Sequence, residues 1–310
     1  MASIAYGIFA FKDPELVARL VNRLQTDSDF TYVHFDASIG EQRFRNWKRL
    51  IEKKCPNKNI EIVSVFRSKY MSFGQVESIL SSMKYFDNFN YDYYINLSSS
   101  CYPLKSTVII KEEFDHQDSI FMEVFEMPFK GWFQGGMFRL ESRFYFFPRG
   151  KYPYVRLFRI PRLKKELPYG LKPYGGSCWF CLPKEVVRYI LDFVEQKPEV
   201  KKFFRRTACP DEMFFQTILM NSSYRSRIVN DNKRYIDWRR GIGSSPTILT
   251  KDDFEKMKKS NKLFARKFDP DIDEGVLNII DQHLEETERA RATKLPLAQN
   301  SKAKPHQLGR

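Results

Sequence analysis

Apolar runs and one-sided apolar faces alternate regularly through the first hundred residues. Ser3 to Phe11 is almost entirely apolar, which predicts a strand buried on both faces. Asp13-Pro14 then predicts a helix start, with Leu16, Val17, Leu20, Val21 and Leu24 falling on one face. The cycle repeats. Phe30 to Phe35 reads as a strand, Phe44, Trp47, Leu50 and Ile51 mark a helix, and Ile60 to Val65 is a third strand. Val76, Ile79, Leu80 and Met83 mark another helix, and Tyr91 to Leu97 a fourth strand. This rhythm predicts an α/β fold with a central, mostly parallel sheet and helices on both faces.

The middle of the chain is less periodic. Ser119 to Val124 reads as a strand carrying Glu123 inside an apolar run, so Glu123 faces either solvent or a pocket. Phe129 to Tyr174 is rich in aromatics, Arg, Pro and Gly, the composition of a binding lid or acceptor platform. Trp132 is its candidate acceptor contact. Gly175-Gly176-Ser177 leads into a strand, Cys178 to Leu182, and a helix with Val186, Val187, Ile190, Leu191 and Val194 on its apolar face.

Pro210 at a first helical position, Asp211 and Glu212 behind it, and Phe214, Phe215, Ile218 and Leu219 beyond predict a buried helix with an acidic first turn. Free N–H groups and the macrodipole there would hold Glu212 ionised, the state a general base needs. The alternative is that both acids merely complement the dipole. Asp36, at the end of the second strand, either points into the crevice where open α/β sheets bind nucleotides or caps the next turn. Tyr235 to Arg240 and Leu263 to Phe268 read as short basic strands. Arg240, Arg266 and Lys267 could supply fixed cations to a diphosphate, or form a solvated basic surface.

Composition narrows the class. The 310 residues suffice for one large α/β domain, read as 1–285, with a flexible polar tail over 286–310. Cys55, Cys101, Cys178, Cys181 and Cys209 read as buried thiols rather than a metal site. Neither a membrane span nor a signal peptide is apparent, so a cytoplasmic location is expected. The formal charge of +14 asks for an anionic partner. No nucleic-acid motif accompanies it, so nucleic acid is not expected, and peripheral contact with an anionic membrane face stays open.

Five strings in register carry a family resemblance: Tyr32-Val33-His34-Phe35-Asp36, Tyr93-Tyr94-Ile95-Asn96-Leu97-Ser98-Ser99 through Tyr102-Pro103-Leu104-Lys105, Gly176-Ser177-Cys178-Trp179-Phe180, Cys209-Pro210-Asp211-Glu212 and Phe264-Ala265-Arg266-Lys267-Phe268-Asp269. Over residues 4 to 285 the chain resembles the core-2/I-branching glycosyltransferases, family 14, which include β-1,6-N-acetylglucosaminyltransferases and peptide O-xylosyltransferases. The resemblance implies a GT-A-like fold, a UDP-sugar donor, a glycan or glycoconjugate acceptor, inversion at the anomeric carbon and no metal cofactor.

By position, the resemblance makes Glu212 the catalytic base, Asp36 the acid at the uracil side of the donor, and Lys267 the cation that neutralises the diphosphate. Glu123 matches an acid that holds the acceptor sugar. The usual Asp-x-Asp metal motif is replaced by Ser98-Ser99-Ser100, while Asp269-Pro270-Asp271 reads as a turn and helix cap. The family's second diphosphate arginine would fall near Ser244, so either Arg240 or Arg266 takes over or the site is weaker. Tyr235-Ile236-Asp237-Trp238 resembles the xylosyltransferase side and places Trp238 among the donor contacts. GlcNAc transfer forming a β-1,6 branch is the first expectation. Xylose transfer, or a non-catalytic basic protein that binds glycan or nucleic acid, is the alternative.

Overall fold

Strand β1 (Ile4–Ala10) is buried at every position except Phe9, because it is enclosed by a strand on either side and by helices above and below. The computed structural model describes residues 1–56, 58–68, 71–146, 154–156, 165–239 and 245–294. After β1 come α1 (Pro14–Leu24), β2 (Phe30–Phe35), α2 (Glu41–Lys54), β3 (Ile60–Val63), α3 (Gly74–Phe86) and β4 (Tyr93–Ser98). The chain then runs through β5 (Cys101–Pro103), α4 (Thr107–Glu113), β6 (Ile120–Met122), β7 (Phe125–Glu126), α5 (Met137–Glu141), β8 (Phe144–Phe146), β9 (Tyr154–Arg156) and β10 (Tyr174–Gly175). It continues with β11 (Phe180–Pro183), α6 (Lys184–Gln196), α7 (Pro198–Phe204), α8 (Phe214–Met220), β12 (Ile228–Val229) and β13 (Arg234–Ile236). Last are α9 (Phe254–Lys259), β14 (Phe264–Arg266), α10 (Pro270–Asp273) and α11 (Gly275–Lys294).

The central sheet has seven strands in the order β12-β6-β11-β4-β1-β2-β3. Its β3-β2-β1-β4 half is parallel, as the sequence rhythm requires. One strand departs from that rhythm: β11 lies antiparallel between β4 and β6. Asn96 secures this join, since its Oδ1 accepts from Phe180 N at 2.8 Å and its Nδ2 donates to the Cys178 carbonyl at 2.7 Å. A separate three-stranded sheet, β13-β14-β5, carries Arg266 beside the end of β4.

Two apolar layers cover the sheet. One joins Leu16, Val17, Leu20 and Val21 of α1 to Val276, Leu277, Ile280 and Leu284 of α11, and the other joins Ile79 and Met83 of α3 to Ile190 of α6 and Phe214, Phe215 and Ile218 of α8. Each such side chain, fully buried, contributes roughly 1.5–3 kcal/mol, so these layers fix the frame that holds the loops above it.

The helix start at Asp13-Pro14 holds: α1 begins at Pro14, after Asp13 in the left-handed region (φ 59°), whose carboxylate pairs with Lys12 at 3.2 Å. Two local expectations are corrected. The Pro210 segment is a 3-10 turn, Pro210–Glu212, and α8 begins only after Met213, whose φ of −140° interrupts the helix. The polar stretch from Glu286 to Lys294 continues α11, tied down where Arg291 pairs with Glu112.

Candidate active site

The parallel strands β1, β2 and β4 end side by side, and a cleft of about 750 Å³ opens over their carboxyl ends. Strand order reverses between β1 and β4, the position at which open α/β sheets bind ligands. Lys12, Asp36 and Ser98 to Ser100, which follow directly from these strands, all line the cleft.

At one end, Asp36 satisfies both readings of its position. Its Oδ1 accepts from Ser38 N at 2.7 Å, capping a short turn, and the residue also lines the cleft. His34 beside it is buried, and its Nε2 accepts from Phe66 N at 3.0 Å and Val65 N at 3.3 Å. An accepting Nε2 requires the neutral ring, and burial pushes the imidazole down to about 4, partly offset by the charge of Asp36.

The floor carries cations. The Arg266 guanidinium lies 4.6 Å from the centre of the Trp179 ring, and its Nε is buried with no hydrogen-bond partner among the described residues. Lys267 Nζ is 3.0 Å from Ser245 Oγ, and burial followed by the Arg266 charge lowers its ammonium pKa. Both pressures favour an anion close by. Lys12 is neutralised by Asp269 at 3.0 Å. Asp269 also accepts from Asp271 N at 3.2 Å, as the turn-and-cap reading requires.

Acids gather beside the segment that leads into β11. The Glu212 carbonyl accepts from Gly176 N at 2.9 Å, and its carboxylate Oε2 lies 2.6 Å from Arg139 Nη1. A guanidinium, and not a helix dipole, is therefore the cationic partner of Glu212. Asp211, one residue earlier, is buried, and burial followed by repulsion from Glu212 raises its carboxyl to about 7. Glu123 is exposed at its surface but recessed at its carboxyl. Burial and then Glu212 raise its pKa, and Asn232 Nδ2 sits 3.3 Å away.

Glu212, Asp36, Arg266, Lys267 and Trp238 thus line one cleft. Glu123 and Trp132 stand outside its lining. Glu123 is within electrostatic range of Glu212, and Trp132 stacks on Arg139 at 4.0 Å. Arg240 and Ser244 lie outside the described residues, as does most of the 147–164 part of the aromatic stretch. Sequence reasoning missed Lys12, Trp179 and Arg139. Nothing in local spacing ties Arg139 to Glu212, although an arginine in an aromatic-rich stretch is itself a signal for stacking. Among the described residues, no three His, Cys, Asp or Glu side chains are grouped to hold a metal ion, and no helix is long and apolar enough to cross a membrane.

Comparison with known proteins identifies a family. Residues 4–258 match the family model described as Core-2/I-Branching enzyme. The chain is 30% identical over 138 residues to xylosyltransferase 2 of Rattus norvegicus, a match covering 39% of this chain and 16% of the relative. It is 28% identical over 136 residues to xylosyltransferase 1 of the same species, covering 39% and 17%. These matches span about a sixth of the relatives' own length. A crystal structure of GalNAc-T7 with UDP, GalNAc and Mn2+ aligns over 61% of this chain and 37% of that one, at 11% identity and a TM-score of 0.35. The chain belongs to the Core-2/I-Branching enzyme family of glycosyltransferases.

Proposed function

We propose that the protein is an inverting, metal-independent transferase that moves GlcNAc from a UDP donor to a hydroxyl of a glycan, forming a β-1,6 branch. The observation that carries this reading is the polarity of the cleft. All line one cleft: the acid Asp36 follows β2, Arg266 pairs beside Cys101 just after β4, with Lys267 next to it, and Glu212 is bonded through its carbonyl to Gly176 ahead of β11, so the charges are spread along the sheet order β2-β1-β4-β11. Uracil would sit by Asp36 and the diphosphate on the two cations. The anomeric carbon would then lie between the diphosphate and Glu212.

Glu212 takes the proton from the acceptor hydroxyl as its oxygen attacks the anomeric carbon on the face opposite the diphosphate. The C–O bond to the β-phosphate breaks, and UDP departs with its new charge met by Arg266 and Lys267. Trp238 and the aromatic surface beside Glu123 and Trp132 serve the sugars. Xylose transfer is the second reading, favoured by the names of the two relatives above.

UDP binding by calorimetry in chelator, repeated with Mn2+, followed by turnover with UDP-GlcNAc and UDP-xylose, tests the proposal. Chelator-insensitive binding and faster UDP release with UDP-GlcNAc are expected. Binding only with Mn2+ would overturn the metal-free reading, preference for UDP-xylose would transfer the assignment to the second reading, and binding without turnover of any donor would remove the catalytic one.

A further inference from the structure

Arg139 is a largely buried arginine beside the candidate base. Its side chain is 17% exposed, and among the described residues its carboxylate contact is Glu212, at 2.6 Å. Its Nε–H is buried and has no acceptor among the described residues. The same Nε lacks a hydrogen-bond partner in Arg234 and Arg266, so what sets Arg139 apart is its target: its Nη1 donates to the carboxylate of the candidate base.

What holds it there is an aromatic face. The guanidinium stacks on Trp132 at 4.0 Å, and Trp132 meets Phe125 edge-on at 4.9 Å. Two glycines make room for the indole. A Cβ on Gly136 would come within 2.5 Å of the Trp132 ring and one on Gly175 within 2.9 Å, and Gly136 also has φ +78°. The line from Gly136 and Gly175 through Trp132 to Arg139 ends on Glu212.

The need for a cation is visible in the surroundings. The acids facing Glu212 are Asp211 on its own turn and Glu123 from the segment after β6, and the thiols of Cys209 and Cys178 lie close by. Arg139 is the cation in direct contact with the Glu212 carboxylate.

We propose that Arg139, clamped by Trp132, is a positioning residue that fixes the rotamer of Glu212. The inference rests on Glu212 being the base. When an acceptor binds, its hydroxyl approaches the Glu212 oxygens while Arg139 restrains the carboxylate's orientation.

The test is kcat, acceptor KM and UDP affinity for R139Q and R139K beside the wild type and E212Q. R139Q is expected to lose at least tenfold in kcat with UDP affinity unchanged, and R139K, which can still reach the Glu212 carboxylate, to recover part of that loss. An R139Q kcat within twofold of the wild type's would overturn the proposal. Should R139Q fail to fold, W132L carries the test: a fall in kcat at unchanged UDP affinity supports the clamp and an unmoved kcat overturns it. Wild-type turnover in E212Q would instead remove the assignment of the base, an outcome distinct from failure of the clamp.

Discussion

Asp211 and Glu212 are neighbours in sequence that both line the cleft in different environments: Asp211 is 7% exposed, whereas the Glu212 side chain is 35% exposed and paired with Arg139. The 3-10 turn produces this split, sending consecutive carboxylates to different depths. Burial and the Glu212 charge raise Asp211 from 3.8 to about 7. The native state therefore holds that proton more tightly than the unfolded chain. The stability it contributes is complete below about pH 4 and is lost as pH rises through 7. D211N does not titrate, so its thermal midpoint is expected to exceed the wild type's by several degrees at pH 8 and by little at pH 4. Equal differences at the two pH values would contradict this.

Lys267 is half-buried and lines the cleft floor beside Arg266. On the proposed donor placement K267Q would remove one charge-assisted contact to the diphosphate, of about 1.5–3 kcal/mol, and is expected to weaken UDP binding roughly 10- to 100-fold. Uridine, which has no diphosphate, should bind both proteins alike. Calorimetry with the two ligands separates the outcomes, and an equal loss for uridine would place Lys267 elsewhere on the donor.

Asp36 caps its turn through Ser38 N and also faces the cleft. D36A is expected to lose about 0.5–2 kcal/mol of stability together with uridine affinity. D36N, which retains an accepting oxygen for the cap, should lose affinity with a smaller thermal change. Chemical denaturation beside uridine titration would show whether the two roles separate.

Gly176 is where the segments bearing Glu123 and Glu212 meet. A Cβ there would lie 1.9 Å from the Glu123 carbonyl oxygen, and its N–H already donates to the Glu212 carbonyl. G176A must push backbone apart, and a loss of about 1–3 kcal/mol is expected. Turnover should fall more than UDP affinity, since the distortion lies at the base and not at the cation floor.

Much of this was legible in the sequence because its signals are local. Leu16, Val17, Leu20 and Val21 mark α1 by spacing alone, and Ile4 to Ala10 marks a buried strand by its unbroken apolar run. The antiparallel β11 was not legible, since its direction is set by pairing with β4 and β6 and by the side chain of Asn96, all distant in sequence. Pro210 announced a helical start correctly, but the break at Met213 is a matter of backbone angle that no residue type there demands. The cleft acids and cations were found through the strings around them. Arg139 lies in a stretch without periodicity and acquires its meaning only when α5 folds against the Glu212 turn.

The most direct measurement of the central claim is UDP release by E212Q, with the donor the wild type turns over, beside UDP affinity of the same protein. Loss of a general base is expected to slow turnover about 10²- to 10⁴-fold while UDP affinity and thermal midpoint stay near the wild type's. Turnover within a few-fold of the wild type in a normally folded, UDP-binding E212Q would contradict the account, because Glu212 would then not be the proton acceptor.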